Sequence, residues 1–511
     1  MCSAPLYNWL NQRTTGVLLH PTSLPSATGI GNFGKAAYYT IDLLKAAGVS
    51  FWQLCPLGPT GYGDSPYQCF SAFAGNPYLI DLDALVDAQL LDTDALAELH
   101  ALPHSSCDYG ALYEPFWKVL KIAHTNFIAS GADSVADYGS FQTFVNDASG
   151  WLDDYASFMG LKAHFGGCSW QDWDTEYRSY TTFKDKELPE AAQLASELHK
   201  FAQYLFFKQY EKFHHYASLQ GIEILGDLPI FVALDSADVW ANPELFQLDA
   251  NGKPAQVAGV PPDYFAADGQ LWGNPLYDWN SHAADGFKWW LSRIKSNLEL
   301  YDSIRLDHFR GFESYWSVPG NATTARNGEW KPTPGKALFK AIAETFPEAR
   351  IIAEDLGVIT PEVRALLEFT GLPGMAVLQF AFDGSADNAY LPHNLNANTV
   401  LYSGTHDNDT SLGWYVTADA ATRDQLRRYF SISGENAGWD LIRAALRSNA
   451  NLAILPLQDL LSLGSEARLN TPGQAAGNWQ WRVDFESLKR LKNESAAYLK
   501  ELNTLYGRCS A

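Results

Sequence analysis

Three short segments in the second half of the chain each place acidic residues directly after a run of β-forming residues. They are residues 305–308 (RLDH), 353–357 (AEDLG) and 405–409 (THDND). A helix-like stretch separates the first two segments, so the chain order there is strand, helix, strand. Parallel strands that are joined by helices end on one face of a barrel, where the side chains that follow them meet. The sequence therefore predicts that the three acidic segments converge.

Candidate strands and helical patterns alternate along much of the chain. The candidate strands are residues 16–20, 49–54, 223–227, a strand at Ile304, a strand at Arg350, residues 375–380, a strand at Val400, and residues 452–455. Eight such strands favour a (β/α)8 TIM barrel over an open doubly wound sheet.

Two blocks of the chain do not follow this alternation. Residues 85–190 show mainly helical patterns and are too long for a loop between a strand and a helix. Residues 231–284 are rich in Asn, Asp, Gly, Pro and Trp without clear periodicity. We therefore expect one (β/α)8 domain over residues 1–511, interrupted by a mainly helical insertion at 85–190 and an irregular insertion at 231–284.

The composition excludes several kinds of partner. The 511 residues carry 36 Lys and Arg against 58 Asp and Glu, a formal net charge of −22, and contain no basic block. Nucleic acid and anionic membranes attract clustered cations, so neither is an expected partner. No run of about 18 apolar residues is present to span a bilayer. Because the six cysteines form no CxxC pair and residues 1–11 show no signal pattern, we expect a reducing, cytoplasmic location.

The three acidic segments offer carboxylates with different surroundings. Arg305 and Asp307 are two apart on a strand and point to the same face, where the cation favours the ionised form that a nucleophile requires. Glu354 follows two isoleucines, and a partly desolvated Glu can deliver a proton at neutral pH. Asp407 with His406 can bind vicinal hydroxyl groups. Each also has a structural alternative: an ion pair, a helix cap and an Asx turn, respectively.

Together these groups are the minimum set for retaining chemistry on glycosidic bonds. A metal site that combines the carboxylates with His308 and His406 is the alternative, but no HxH or HxxxH spacing supports it, so we expect no metal. Residues 58–63 are rich in glycine, yet they lack the endings of a P-loop or a dinucleotide-binding loop. They are predicted to form a loop that faces the substrate.

The residue sequences of these segments resemble those of the 4-α-glucanotransferases, also called amylomaltases or disproportionating enzymes. These enzymes form glycoside hydrolase family 77 of the α-amylase clan. The resemblance extends over nearly the full chain. Further segments that fit the family pattern are residues 16–25, 61–67, 71–78, 226–232, 259–265, 272–275 and 477–482.

The resemblance implies a role for each candidate residue. Asp307 would be the nucleophile, Glu354 the acid and base, and Asp407 the acid that stabilises the transition state. The residues expected to bind the substrate are Tyr62, Tyr67, Asp227, Gln270, Trp272, Asn274, Arg305, His308 and His406. The insertion at 231–284 would cover the active site.

The resemblance also implies the reaction and its partners. An α-1,4-glucan or maltooligosaccharide would be the donor and glucose or a maltooligosaccharide the acceptor, without a cofactor. The barrel would lack the C-terminal β-sandwich of α-amylases. Two alternatives stay open, because a hydrolase shares the same carboxylates and a glucan-binding protein could keep the barrel without activity. The presence of all three acids and of Arg305 favours an enzyme.

Overall fold

A ring of eight parallel strands forms the centre of the protein. The computed structural model describes residues 4–61, 63–184, 186–262, 267–474 and 476–509. Its strands are β1 (Thr14–Leu18), β2 (Phe51–Gln53), β3 (Glu223–Leu228), β4 (Gln256–Val260), β5 (Gln270–Pro275), β6 (Ser303–Leu306), β7 (Ser314–Pro319), β8 (Glu329–Pro332), β9 (Ile351–Ala353), β10 (Gly374–Val377), β11 (Thr399–Tyr402) and β12 (Leu452–Pro456). The parallel strands follow the order β10-β11-β12-β1-β2-β3-β6-β9.

The ring closes between its first and last strands. The amide of Ala353 at the end of β9 donates to the carbonyl of Pro373, which precedes β10, at 2.9 Å. All residues of β2, β6, β9, β11 and β12 are buried. Parallel strands covered by helices are buried on both faces, which explains continuous apolar runs such as the one in β9. The predicted (β/α)8 barrel is confirmed, with a strand at each of the eight predicted places. The strand predicted at 375–380 ends at Val377, because residues 378–380 form a 3-10 helix.

Helices lie between most barrel strands and fill the long segment before β3. They are α1 (Lys35–Ala46), α2 (Asp83–Asp87), α3 (Ala97–His100), α4 (Tyr109–Ser130), α5 (Phe141–Asp147), α6 (Leu152–His164), α7 (Thr175–Arg178), α8 (Tyr180–Phe183), α9 (Glu190–Leu219), α10 (Ala237–Ala241), α11 (Trp279–Ala284), α12 (Lys288–Leu300), α13 (Gly335–Thr345), α14 (Pro361–Thr370), α15 (Ser411–Thr417), α16 (Ala420–Phe430), α17 (Ala437–Arg447), α18 (Leu457–Leu460), α19 (Phe485–Arg490) and α20 (Ala496–Leu505). None of these described helices is long and apolar enough to cross a membrane.

The segment 231–284 is not irregular throughout, contrary to the prediction. It contains β4 and β5, which join β7 and β8 in a second, antiparallel sheet of order β5-β4-β7-β8. The sheet has a small apolar cluster of its own, in which Val257 of β4 and Val318 of β7 pack with Ala325. The sequence pattern did not show these strands because β4 pairs with β7, which lies beyond α12 and β6 in the chain. We call this four-stranded sheet the cover sheet.

A glycine allows the close packing of the third barrel strand. A Cβ atom on Gly226 would lie 2.1 Å from the ring of Tyr301, which precedes β6. Only a residue without a side chain fits there, so β3 can lie close to the start of β6. This packing sets the position of Asp227, the next residue in β3.

Candidate active site

A buried arginine connects two acidic residues of neighbouring barrel strands. The guanidinium of Arg305 in β6 donates through Nη1 to both carboxylate oxygens of Asp227 at 2.7 Å. Its Nη2 donates to Oδ1 of Asp307 at 2.9 Å. The Asp227 side chain is fully buried, whereas that of Asp307 is 25% exposed. Arg305 therefore holds one carboxylate inside the barrel and one at its open end.

Glu354 lies at the end of β9 and is held by backbone amides. The amide of His308 donates to Oε2 at 2.7 Å, and the amide of Leu356 donates to Oε1 at 2.9 Å. Burial raises the pKa of Glu354 from 4.5 to about 8, since it penalises the charged form; the charge of Asp307 adds to this, while Arg305 and the two amides oppose it. Glu354 is therefore protonated at neutral pH and is suited to donate a proton.

The third predicted acid, Asp407, lies in the loop after β11 and is more exposed than the other two. Its side chain is 45% exposed, and Oδ1 lies 3.3 Å from Nε2 of the buried His406. The side-chain amide of Asn470 donates through Nδ2 to the same Oδ1 at 2.6 Å. Among the described residues, the other carboxylate oxygen, Oδ2, accepts no hydrogen bond.

Three aromatic rings stack beside this loop. The ring of Tyr67 lies 5.1 Å from that of His406 at an interplanar angle of 20°. The ring of Trp479 lies 5.8 Å from His406 and 6.0 Å from Tyr67. The hydroxyl of Tyr67 donates to Oδ2 of Asp227 at 2.8 Å. Tyr67 therefore joins the two halves of the site, the half around Arg305 and the half around Asp407.

Sequence reasoning gave no role to three residues of the C-terminal segment that contact Asp407 or His406. They are Arg468, whose Nη2 donates to the main-chain carbonyl of Asp407 at 2.7 Å, together with Asn470 and Trp479. Trp479 belongs to the segment 477–482, which fits the family pattern, so the resemblance could have identified it as a candidate site residue. Nothing in the local sequence connects it with a loop some 70 positions earlier.

The cover sheet brings further predicted residues to the site. Trp272 in β5 contacts the ring of His308 edge-to-face, with centroids 4.9 Å apart at 80°. Its Nε1 donates to Oε1 of Gln270 at 3.2 Å. Asn274 is buried and donates to the carbonyl of Val232 at 2.8 Å, so it fastens β5 to the loop after β3.

Of the other predicted residues, Tyr62 lies outside the described part of the chain. Roles in substrate binding for this set stay predictions. The residues that the structure brings together around the barrel mouth are Tyr67, Asp227, Gln270, Trp272, Arg305, Asp307, His308, Glu354, His406 and Asp407.

This arrangement defines a class of protein. A (β/α)8 barrel whose fourth, fifth and seventh strands are followed by carboxyl groups, one paired with a buried arginine and one with a raised pKa, is suited to chemistry on glycosidic bonds. Comparison with known proteins names the family. The chain belongs to the 4-α-glucanotransferase family, glycoside hydrolase family 77, whose family model matches residues 19–488. It is an enzyme of that family.

Relatives match over nearly the whole chain. The 4-α-glucanotransferase of Thermus thermophilus is 49% identical over 482 residues, 92% of this chain and 95% of the relative. That of Synechocystis is 46% identical and covers 98% of this chain and 99% of the relative. The solved amylomaltase from Streptococcus agalactiae, in complex with acarbose, is 38% identical with a TM-score of 0.91, over 98% of this chain and 100% of that one.

We predict that activity does not depend on a metal ion. Within the described part of the chain, no three His, Cys, Asp or Glu side chains are arranged as a metal site. Exhaustive treatment with EDTA, followed by a glucose-release assay on maltotriose, should leave the rate unchanged. Loss of activity that one divalent ion restores would instead support a metal at His308 and His406.

Proposed function

We propose that the enzyme transfers segments of an α-1,4-glucan to the 4-hydroxyl of glucose or of another maltooligosaccharide, with retention and through a covalent glycosyl-enzyme. Asp307 is the nucleophile, Glu354 the general acid and base, and Asp407 stabilises the transition state. The enzyme thereby acts in maltooligosaccharide, starch or glycogen metabolism, in the cytoplasm. The observation that carries the proposal is the contrast between Asp307, which is paired with Arg305, and Glu354, whose pKa burial raises to about 8.

In the first step the donor is cleaved. The carboxyl proton of Glu354 passes to the glycosidic oxygen as its bond to the anomeric carbon breaks. A carboxylate oxygen of Asp307 bonds to the anomeric carbon from the opposite side, which inverts its configuration. The released glucan fragment leaves with a new 4-hydroxyl group, and Glu354 is left ionised beside Asp307, now neutral in its ester.

In the second step the acceptor takes the sugar. Glu354, as a base, removes the proton of an acceptor 4-hydroxyl while that oxygen attacks the anomeric carbon. The ester bond to Asp307 breaks, and the second inversion restores the α configuration. The two amides that donate to Glu354 support its ionised form during this interval. Acid, base and nucleophile are all side chains of the protein, so the proposal needs no cofactor.

Transfer must compete with hydrolysis, since water at about 55 M is always present. A bound and oriented acceptor can react with an effective molarity far above that value. The cover sheet can favour transfer over hydrolysis, because its Trp272 contacts His308 and Gln270 at the edge of the site. We propose that Trp272 stacks on a sugar ring and shields the glycosyl-enzyme from water.

The product pattern from maltotriose tests the function against its two alternatives. A transferase gives glucose together with longer oligomers, a hydrolase gives a rise in reducing ends, and a glucan-binding protein gives no change. We expect glucose and longer oligomers. The pattern is read by chromatography of the products, and a rise in reducing ends in proportion to bonds broken would contradict transfer.

Asp307→Asn should lower the rate of transfer by about four orders of magnitude or more, as removal of a catalytic nucleophile does. An amide cannot form the glycosyl ester, while the change is nearly isosteric at a partly exposed position. Asp424→Asn, which breaks an exposed carboxylate–arginine pair on α16, is the matched control and should keep full activity. In a complex with a sugar, the Asp307 and Glu354 carboxyl groups should lie about 5 to 5.5 Å apart. A separation near 9 Å would indicate inversion.

The pH profile should show an alkaline limb near the pKa of Glu354. This acid must be protonated to act on the donor, and its pKa is raised to about 8, so activity is present below that pH and is lost as the pH rises through it. At pH values above this pKa, kcat/KM for maltotriose should fall about tenfold per pH unit. With α-maltosyl fluoride, whose leaving group needs no proton, the limb should disappear. A limb that is identical for both donors would contradict the role of Glu354.

Trp272→Ala should reduce transfer more than hydrolysis. If Trp272 stacks on the acceptor, its loss should lower the ratio of transfer to hydrolysis roughly fivefold, the effect of an aromatic contact of about 1 kcal/mol. Trp330→Ala on β8, the other edge of the cover sheet, is the matched control, since its ring is also partly exposed. Should both reactions fall in proportion, or only the melting temperature change, Trp272 would be a scaffold residue.

A further inference from the structure

His308 has a backbone conformation that is rare for a residue with a side chain. Its φ is 50° and its ψ is 52°, in the left-handed region, directly between Asp307 and a 3-10 turn at Phe309–Phe312. In this region the Cβ atom of an L-residue comes too close to the following carbonyl oxygen, so glycine is the usual occupant and Asn, Asp and His are the commonest exceptions. Such conformations persist where the surroundings over-determine them, often at active sites.

The left-handed turn places two successive amides on Glu354. The amide of His308 donates to Oε2 of the Glu354 carboxyl group at 2.7 Å. The next amide, that of Phe309, donates to the main-chain carbonyl of Glu354 at 2.9 Å. The φ and ψ angles of His308 set the direction of the next peptide, so a change to an extended or right-handed conformation would turn the Phe309 N–H away from the Glu354 carbonyl. The contact that holds the His308 segment, with its own N–H, against Glu354 would then be lost. The rare conformation therefore has a direct consequence at Glu354.

The imidazole ring is held independently of that hydrogen bond. It meets Trp272 of the cover sheet edge-to-face at 4.9 Å. On another side it lies against Gly311, where an added Cβ atom would come within 3.0 Å of the imidazole Cδ2. These contacts fix the ring and thereby support the conformation of the backbone that carries it. A contact between the cover sheet and the ring can thus influence the hydrogen bond that the backbone makes.

We propose that His308 is a positioning residue for the acid and base: its left-handed conformation directs the Phe309 N–H to the main-chain carbonyl of Glu354, and this contact holds the His308 N–H on the Glu354 carboxyl group, which it orients. This inference rests on the proposed role of Glu354. The imidazole is not the proton carrier in it; the ring serves as a packing contact to Trp272. An N–H donor stabilises the ionised carboxylate, so loss of the donor should raise the pKa of Glu354.

Several other groups act on the same carboxyl group and must stay unchanged in a test. Four charged or titratable side chains face Glu354. They are Arg305 within β6, Asp307 directly after β6, Tyr390 in the loop before β11, and Tyr402 in β11. Because the imidazole of His308 has a pKa of about 4, its own titration falls far below the alkaline limb. A shift of that limb in a variant at 308 therefore reports on Glu354.

Two variants separate the backbone from the ring. His308→Gly keeps the N–H and adopts the left-handed conformation without strain, whereas in His308→Val a β-branched side chain disfavours it. Both variants lack the ring, so any difference between them arises from the backbone. His308→Asn, which also tolerates this conformation, tests rescue by a residue with a side chain. Thermal melting establishes that each variant is folded.

The measurement is the pH profile of kcat/KM and kcat with maltotriose. We expect His308→Val to move the alkaline limb upward by about one pH unit, a tenfold change in the ionisation constant, with kcat lowered about tenfold or more. His308→Gly and His308→Asn should keep the limb within a few tenths of a unit, and kcat should be lower in His308→Val than in His308→Gly, which lacks the ring equally. With α-maltosyl fluoride, the difference between the glycine and valine variants in the first step should vanish.

Two outcomes would overturn the inference. Equal shifts of the limb in the glycine and valine variants would assign the effect to the missing ring, and an unchanged limb in all three variants would remove any role in orienting Glu354. If the valine variant does not fold, a shifted limb in His308→Gly contradicts the proposal, and an unshifted limb in both His308→Gly and His308→Asn supports it. Wild-type protein that shows no transfer, or the same limb with both donors, would instead contradict the proposed function itself.

Discussion

The buried guanidinium of Arg305 is the interaction on which the site depends. It is surrounded by barrel strands and satisfied by two carboxylates, Asp227 inside the barrel and Asp307 at its mouth. A buried charge is tolerable only when it is paired and hydrogen-bonded, and removal of one partner leaves the others uncompensated. Because Asp227 already neutralises much of the cation and accepts from Tyr67, Asp307 meets a donor that is fixed before any substrate arrives.

The contrast between the two central carboxyl groups follows from this interaction. Asp307 accepts from a charged donor, whereas Glu354 accepts from backbone amides, and burial raises the pKa of Glu354 to about 8. The two carboxyl groups therefore differ in environment, although they follow neighbouring strands. Surroundings of this kind give carboxyl groups different properties in other enzymes that act on glycosidic bonds.

The barrel and its acidic residues could be predicted from the sequence because the patterns that indicate them are local. Buried parallel strands read as apolar runs, and Asp307 and Glu354 follow such runs directly. The cover sheet was not predicted, since its central pair, β4 with β7, joins segments on either side of α12 and β6. Asn470 and Trp479 were missed for the same reason, because only the folded barrel brings them to the loop of Asp407. Tyr67 and Asp227 came from family resemblance rather than from any local pattern.

The contacts of the C-terminal segment have a consequence for biosynthesis. Strand β1 near the start of the chain pairs with β12 near its end, and Asn470 and Trp479 brace Asp407 and His406 only after β12 is in place. Domains fold as their residues leave the ribosome, and all three candidate carboxyl groups emerge before the barrel can close. A nascent chain therefore carries these acids without the contacts that position them. The candidate site is completed only once translation has passed Trp479.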